Sequence, residues 1–400
     1  MGTDRLYYHD SYLNEFTARV LSARAVRGQW EVVLDRTAFH PEGGGQPSDL
    51  GLLGGVPLVG VVERDGEVIH LVRGPVPEGE IAGRVDWERR FDFMQQHSGQ
   101  HLLSQAFERL LGASTVSFHM GLEVSTIELA APSLTPAEVE SVERLANQVV
   151  FENRPIEVHL LDASDLSRFD LRKGTDRTEG IRVVEVAGFD AIPCSGTHCR
   201  STGEVGLVKV IRWERRGGNA RVEFLCGGRA LRDYRTKNQA VVELAAALSV
   251  KDREVPEAVD RLQRELSESR RRVEQLRNRL LDYEAEELLA RAERVGGASV
   301  VSALLVGHGP EDLKHLATRI TGRPATVALL AVGSERVHLV FARSEDLSFD
   351  AGSLLRQVTA SLGGRGGGHP SLAQGGIPDP DNAGAALDAA LAELRSVLAV

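Results

Sequence analysis

The residues best suited to chemistry form two short motifs. In the first, His97-Ser98-Gly99-Gln100-His101, the two imidazoles are four residues apart and would share one face of a helix. The second, Cys194-Ser195-Gly196-Thr197-His198, adds a thiolate and a third imidazole. Three histidines and one cysteine form a tetrahedral donor set of the kind that Zn²⁺ prefers. We therefore predict a zinc site in which the ligands are His97, His101, Cys194 and His198.

The surrounding sequence favours this joint site over two unrelated motifs. Either motif alone is weak evidence, because two hydrogen-bonded core histidines would also explain the first one. Apolar spacing predicts a helix over residues 91–111, in which His97 and His101 continue the inward-facing row of Met94. Buried imidazoles need polar partners, and a metal is one. Cys194 follows an apolar run and a proline, so we expect it at a strand end or loop, where ligands can converge.

Composition indicates a soluble, multidomain protein of the cytoplasm. The chain has 400 residues, of which 42% are hydrophobic and 26% charged, as in ordinary globular proteins. Three cysteines argue against a disulfide framework, and the N-terminus lacks the pattern of a signal peptide. The net charge of −10 disfavours indiscriminate nucleic-acid binding but allows a local basic surface.

Residues 1–88 are predicted to be a β-barrel-like domain. Four β-strands are indicated by apolar runs between Gly and Asp-Gly turns, over residues 19–26, 29–35, 50–62 and 68–72. A loop between strands carries three consecutive glycines, Gly43 to Gly45, whose backbone can approach a partner closely. It is not a phosphate-binding P-loop, because no Gly-Lys-Ser/Thr follows.

Residues 89–246 are predicted to be an α/β core around the metal. Thr135-Pro136-Ala137-Glu138 is a capping box that begins a helix. Strands are expected over residues 181–186, 205–211 and 221–226. Between Lys209 and Lys237 there are nine basic residues and three acidic ones. The segment is either a solvated face or a phosphate-contacting patch, and the nucleic-acid-binding candidates in it are Arg212, Arg215, Arg216 and Arg221.

The last two regions are predicted from periodicity. In residues 247–297, apolar positions spaced 4 and 3 apart continue from Val255 to Tyr283 for about four heptads. They indicate a coiled coil or helical hairpin, within the chain or between two chains, that ends at Gly296-Gly297. Residues 298–400 alternate strands, over 300–306, 327–332 and 337–342, with helices, the last one over 382–398. Their glycine-rich stretch, residues 363–376, is either a flexible linker or an ordered loop that contacts a ligand or nucleic acid.

Several of these segments resemble one family. The two metal motifs are similar to the zinc motifs of the alanyl-tRNA editing domain, which occurs in alanyl-tRNA synthetases and free-standing AlaX proteins. They are also shared with the editing domain of threonyl-tRNA synthetases. The stretch from Phe39 to Gln46 resembles the glycine motif of the alanine family, and residues 363–376 resemble the closing motif of its DHHA1 domain. Shorter similar blocks lie at 117–121, 126–129 and 221–227. The layout resembles the long AlaX type.

The resemblance implies an α+β multidomain fold and a zinc-dependent aminoacyl-tRNA deacylase without aminoacylation activity. Its substrate would be mischarged tRNA(Ala), chiefly Ser-tRNA(Ala), with Gly-tRNA(Ala) as a further candidate. His97, His101 and Cys194 would serve the reaction at the zinc, and Gln46 or Thr197 would position the water if the zinc is structural. Gly366, Gly367, Gly368 and His369 would contact tRNA beside the arginine patch, and the chain would be a homodimer through the coiled coil or the C-terminal domain.

Two further points stay open. Discrimination would depend on a polar group that binds the serine hydroxyl, for which Ser98, Ser117 and Thr126 are candidates. A non-catalytic tRNA-binding module with structural zinc and a zinc hydrolase of small esters or amides are the alternative functions. The DHHA1 domain also occurs in phosphoesterases, but the Asp-His-His tripeptide of those enzymes is absent from this sequence.

Overall fold

The chain is a mixed α+β protein in two compact units. The computed structural model describes residues 2–333 and 335–398. Contacts divide the chain into residues 1–247 and residues 248–400, and each unit has its own hydrophobic clusters. No helix in the described part of the chain is long and apolar enough to cross a membrane.

The first unit begins with strands that close into a barrel. The strands are β1 (Asp4–Arg5), β2 (Glu15–Val26), β3 (Gln29–Leu34), β4 (Arg36–Thr37), β5 (Gly51–Leu53), β6 (Val56–Arg64), β7 (Glu67–Val72) and β8 (Glu80–Val85). The closed order is β2-β3-β7-β6-β5-β8, and alternate side chains of these strands fill the interior. β1 and β4 pair separately and in parallel.

Two details of the barrel differ from the sequence prediction. The single strand expected over residues 50–62 is a hairpin, because Gly54 and Gly55 adopt φ values of 59° and 81° and turn the chain between β5 and β6. β8 was not predicted. Its side chains alternate between exposed and buried, so the period-2 signal was present but short.

The rest of the first unit surrounds one buried helix. Its elements are α1 (Trp87–Leu111), β9 (Thr115–Met120), β10 (Ser125–Leu129), α2 (Pro136–Phe151), β11 (Ile156–Leu161), β12 (Ile181–Val186), β13 (Asp190–Pro193), β14 (Val208–Arg216), β15 (Asn219–Cys226) and α3 (Gly227–Leu248). The sheet orders are β14-β15-β10-β9 and β11-β12-β13.

Local sequence explains where α1 and α2 begin and end. The Asp86 side chain accepts a hydrogen bond from the Arg89 backbone N–H and caps α1, and Gly112 ends it in the left-handed conformation. The predicted capping box of Thr135 and Glu138 is present at the start of α2. The structure corrects the strand expected over residues 205–211, which begins at Val208, since a 3₁₀ turn occupies Thr202–Val205. It also adds β9, β10, β11 and α3, which the sequence analysis did not predict.

The second unit is a long helix and a six-stranded sheet covered by shorter helices. Its elements are α4 (Val255–Ala290), β16 (Glu293–Val295), β17 (Ala298–Leu305), α5 (Pro310–Thr321), β18 (Thr326–Gly333), β19 (Val337–Arg343), α6 (Ala351–Ser361), β20 (Arg365–His369), β21 (Leu372–Ile377) and α7 (Ala383–Leu398). The strand order is β16-β17-β18-β19-β21-β20. The glycine-rich stretch is therefore neither linker nor loop for most of its length, because it forms the β20–β21 hairpin at one edge of this sheet.

The predicted heptad pattern lies on α4, but the described residues form no coiled coil. We call the apolar positions of this pattern the α4 seam. The large apolar side chains of the seam from Val259 to Tyr283 are 37–68% exposed. An intrachain helical hairpin is thus not formed along the seam. The helix also ends at Ala290, before Gly296-Gly297, because β16 intervenes.

Candidate metal centre

The helix α1 supplies two imidazoles from its buried face. His97 and His101 are each 3% exposed, and their ring centroids are 5.2 Å apart. Because residues four apart lie on the same helix face, the HxxxH spacing alone brings the two rings together. The rings point into the same core side as Met94, as the sequence predicts.

The β12–β13 hairpin supplies the other two donors. Cys194 follows the last residue of β13, and the chain then crosses α1 to reach His198. This crossing is held by a hydrogen bond from the Cys199 backbone N–H to Ser98 Oγ, at 3.0 Å. Gly196 is required at the crossing, because a Cβ there would lie 2.2 Å from Cε1 of His97.

Donor atoms of His97, His101, Cys194 and His198 all lie within 4.8 Å of one another. Cys194 Sγ is 3.5 Å from His97 Nε2 and 3.3 Å from His198 Nε2. Tetrahedral zinc with ordinary bond lengths would place sulfur and nitrogen ligands about 3.6 Å apart. The observed distances therefore fit this donor set. Cys194 is the partly exposed member, and the three histidines are buried.

A polar side chain lies beside the Nδ1 atom of each histidine, within hydrogen-bond distance at His97 and His198 but not at His101. Gln46 Oε1 lies 2.9 Å from His97 Nδ1, Ser98 Oγ lies 3.4 Å from His198 Nδ1, and an Asp190 oxygen lies 3.6 Å from His101 Nδ1. A ring that donates Nδ1–H to such a partner keeps the Nε2 lone pair for a metal. The cluster thus has an outer layer of the kind that fixes the tautomer and orientation of metal-binding histidines.

The electrostatics favour neutral imidazoles in this cluster. Burial lowers the pKa of His97, His101 and His198 well below the ordinary histidine value. Burial also raises the pKa of the Cys194 thiol in the metal-free protein. A divalent metal binds neutral imidazoles and thiolate, so metal loading would compete with a proton at Cys194.

The glycine motif places Gln46 beside the metal cluster. A tight turn from Gly43 to Gln46 closes with backbone hydrogen bonds of 3.0 Å in both directions. Gly45 adopts φ 84° and packs against Phe118, where a Cβ would lie 2.6 Å from its carbonyl oxygen. Gln46 Nε2 donates to Thr197 Oγ1 at 2.8 Å, so Gln46 joins the two metal motifs.

Sequence reasoning missed Asp190 and Arg172. Arg172 Nε donates to Asp190 Oδ1 at 2.8 Å, and the Asp190 carboxylate also faces His101. Burial raises the pKa of Asp190, and the Arg172 hydrogen bond opposes this shift. An acidic residue four positions before a predicted cysteine ligand was the available signal.

The other predicted site residues are dispersed. Phe118 packs against His97 with ring centroids 5.3 Å apart, whereas Ser117 and Thr126 lie on the opposite face of the β9–β10 pair. Their proposed contact with a substrate hydroxyl at the cluster is therefore wrong. Ser98 is at the cluster, but its hydroxyl is already engaged with His198 and the Cys199 backbone.

The basic candidates lie outside the cluster. Arg212, Arg215 and Arg216 are on β14 near its hairpin with β15, and Arg216 pairs with Glu128 at 3.3 Å. Arg221 is half-buried, on β15, with an Nε that has no hydrogen-bond partner. Gly366, Gly367, Gly368 and His369 belong to the second unit, on the edge strand β20.

The chain matches two protein families and several known proteins. The DHHA1 domain family matches residues 297–396, and the family described as the threonyl and alanyl tRNA synthetase second additional domain matches residues 181–223. The chain is 35% identical to the alanine–tRNA ligase of Pyrococcus furiosus over 96% of its length but only 43% of that protein's length. The C-Ala domain of Aquifex aeolicus alanyl-tRNA synthetase, a solved structure, matches 27% of this chain and 98% of its own at 27% identity, with a TM-score of 0.25.

One relative that matches the chain over almost its whole length decides the family. The alanyl-tRNA editing protein AlaX-L of Pyrococcus horikoshii is 32% identical to the chain, and the match covers 99% of this chain and 100% of that protein. The chain therefore belongs to the AlaX-L family of alanyl-tRNA editing proteins.

Proposed function

We propose that the protein is a trans-editing hydrolase that deacylates mischarged tRNA(Ala), chiefly Ser-tRNA(Ala), with Gly-tRNA(Ala) as a further candidate substrate. The observation that carries this proposal is the His97–His101–Cys194–His198 cluster, with its outer hydrogen-bond partners, in a chain that matches AlaX-L from end to end. The reaction would be hydrolysis of the ester that joins the amino acid to the terminal ribose.

Zinc is the metal that the donor set fits best. The ligands would be His97 and His101 through Nε2, Cys194 as thiolate, and His198. When bound, Zn²⁺ would supply Lewis acidity, and it would activate a water if a fifth position or the release of one protein ligand gave that water access to the metal. The partly exposed Cys194 marks the side of the cluster that a substrate can approach.

The protein groups around the cluster have separable tasks. Gln46 orients His97 through Nδ1, and its other amide atom donates to Thr197. That arrangement leaves the Thr197 hydroxyl proton available to a water or substrate atom beside the cluster. We assign Gln46 and Thr197 to positioning, in a site where both are buried and their rotamers are held by packing.

Selectivity for serine over alanine would follow from a polar group of the protein that is left without a partner when alanine is bound. A site that binds the serine hydroxyl leaves its own polar group unpaired when alanine is bound, at a cost of about 1–3 kcal/mol. Ala-tRNA would thereby be spared relative to Ser-tRNA by chemistry, since alanine is smaller than serine and cannot be excluded by size; the hydroxyl does not separate alanine from glycine.

Two surfaces are assigned to tRNA. The exposed arginines of the β14–β15 hairpin, Arg212, Arg215 and Arg216, would contact phosphates, with Arg221 half-buried behind them. In the second unit, the edge strand with Gly366, Gly367, Gly368 and His369 would contact RNA through its backbone. Such binding is shape-based and salt-dependent.

We also propose that the protein is a homodimer. The exposed α4 seam continues for about four heptads, and a second copy would bury it as a coiled coil. Sedimentation at micromolar concentration tests this point: a dimeric mass is expected, and a monomeric mass contradicts it.

The central experiment measures release of serine from Ser-tRNA(Ala), beside Ala-tRNA(Ala), with zinc-loaded protein. We compare wild type with Cys194→Ala/His198→Ala and with a matched control, Cys199→Ala/His119→Ala, in which a non-ligand cysteine and histidine are removed. Serine release that only the ligand variant loses, with Ala-tRNA spared, is the expected result. Tight tRNA binding with no release by wild type would instead favour a non-catalytic tRNA-binding module.

A further inference from the structure

A cavity of about 290 Å³ lies directly beside the metal cluster. Its wall includes Cys194 and Ser195 on one side and Tyr8 on another. Three cationic side chains complete it, those of Lys173, Arg177 and Arg182. Cys194 therefore belongs to the cavity wall and also contributes a donor to the cluster.

Arg182 is buried in this wall with part of its guanidinium unused. The residue is only 5% exposed. Its Nε donates to the Tyr8 carbonyl at 3.2 Å, and its Nη1 donates to the Cys194 carbonyl at 2.7 Å. Its Nη2 is buried and has no hydrogen-bond partner. A buried donor without an acceptor is costly, and a charged one more so.

No carboxylate compensates Arg182 within the described ranges. The Asp190 carboxylate of the adjacent strand is paired with Arg172, and Arg182 itself forms no ion pair. A divalent metal with one thiolate ligand would add a further positive charge at the cavity edge.

The outer part of the wall is also basic. Lys173 and Arg177 are exposed, and both belong to the segment that joins β11 to β12. The acidic residues Asp176 and Glu179 of the same segment do not line the cavity. The lining residues therefore combine three cationic side chains with no carboxylate, a composition that favours an anion.

We propose that this cavity binds a backbone phosphate of the RNA end that carries the amino acid, with Arg182 Nη2 as the buried donor and Lys173 and Arg177 as the outer ones. The proposal rests on the proposed deacylase function, because it names how that site holds its substrate. The phosphate nearest to the ester in the covalent structure of the RNA end is the 5′-phosphate of the acylated nucleotide, and Cys194 belongs to both the cavity wall and the cluster. This contact would set the ester beside the metal independently of the remainder of the tRNA.

The test uses the full chain and the variant Lys173→Ala/Arg177→Ala. Both side chains are exposed, and no hydrogen bond or ion pair holds either one in the described part of the molecule, so the fold should persist. The matched control is Arg144→Ala/Arg168→Ala, which removes two exposed cations outside the cavity. Binding of adenosine 5′-monophosphate, adenosine and inorganic phosphate is measured by calorimetry, with and without zinc. Hydrolysis is measured on 3′-seryl-adenosine and on the same ester with a 5′-phosphate.

The expected result is that wild type binds adenosine 5′-monophosphate more tightly than adenosine. In the variant, this ratio of affinities should be ~10-fold smaller, as for the loss of a charge-assisted contact. The variant should also raise KM for the 5′-phosphorylated ester and leave the unphosphorylated ester unchanged, whereas the control changes neither. Equal loss on both esters, or no loss, overturns the proposal. Inorganic phosphate that binds as tightly as the nucleotide also overturns it, since the cavity would then be a free-anion site. If wild type hydrolyses neither ester nor Ser-tRNA(Ala), the proposed function fails, while nucleotide binding still tests the phosphate site by itself.

Discussion

The helices α1 and α4 were both predicted from the spacing of apolar residues, but they have opposite environments. Fourteen of the 25 residues of α1 are buried, and its buried set includes charged and polar side chains. Only four of the 36 residues of α4 are buried. Periodicity therefore predicted both helices, whereas the partners of each one depended on distant parts of the chain. A polar residue on a buried helix must find a partner, and on α1 the partners form the metal site.

The largest effect should come from removing two of the four candidate metal donors that meet at α1. We expect Cys194→Ala/His198→Ala to lose stoichiometric zinc and at least ~100-fold of serine release, because half of the donor set is absent. Metal analysis and a deacylation assay measure both effects. A variant that still holds one zinc and edits normally would place the metal elsewhere.

The second largest effect should come from shortening a buried leucine of α1, compared with an exposed leucine of α4. Leu102 on α1 is fully buried, and Leu276 on α4 is 54% exposed. Leu102→Ala should lower the free energy of unfolding by about 2–5 kcal/mol. Leu276→Ala should change it by less than ~0.5 kcal/mol at concentrations where the chain is monomeric.

Denaturation at several protein concentrations measures this difference. If the proposed dimer forms through the seam, the cost of Leu276→Ala should increase with concentration. A large, concentration-independent cost would mean that α4 is buried within a single chain.

A smaller effect is expected from the outer layer of the metal site. Asp190→Asn keeps the shape of the side chain but removes the charge that faces His101 and Arg172. Metal affinity should fall by about 10–100-fold. Competition with a chelator measures it, with the exposed Asp170→Asn as control. Unchanged affinity together with a lower melting temperature would assign Asp190 to stability alone.

The smallest effect is expected at the exposed arginines. Arg215→Ala/Arg216→Ala should weaken tRNA binding a few-fold and reduce the salt slope by about 0.7–0.9 per lost phosphate contact. Binding titrations at several salt concentrations measure the slope. An unchanged slope would remove the β14–β15 hairpin from the RNA-binding surface.

Local rules predicted a large part of this structure. The α1 helix, the capping box of α2 and the last helix depend on spacing and caps within a few residues, and the structure has them close to the predicted bounds. The strands β9 and β10 and the helix α3 were missed. In β9 the exposed and buried positions do not alternate strictly, so a single-sequence period gives little signal there.

The sequence by itself determined the donor set of the candidate metal site. His97 and His101 are brought together by helix geometry, and Cys194 and His198 by the same short spacing in a loop. Their types specify a borderline-soft tetrahedral metal before any fold is known. The α4 seam was likewise determined as a pattern, since heptad spacing is a property of one segment.

Only the tertiary structure decided which groups surround those donors. Asp190 and Arg182 lie on the two strands of one hairpin, and neither has a distinctive spacing to the histidines of α1. Ser117 and Thr126 were excluded by the face of a strand pair, and the glycine-rich stretch became the β20–β21 hairpin at a sheet edge by pairing with β19. The physical reason is the same in each case: burial and charge compensation depend on contacts between residues far apart in sequence, which no local pattern encodes.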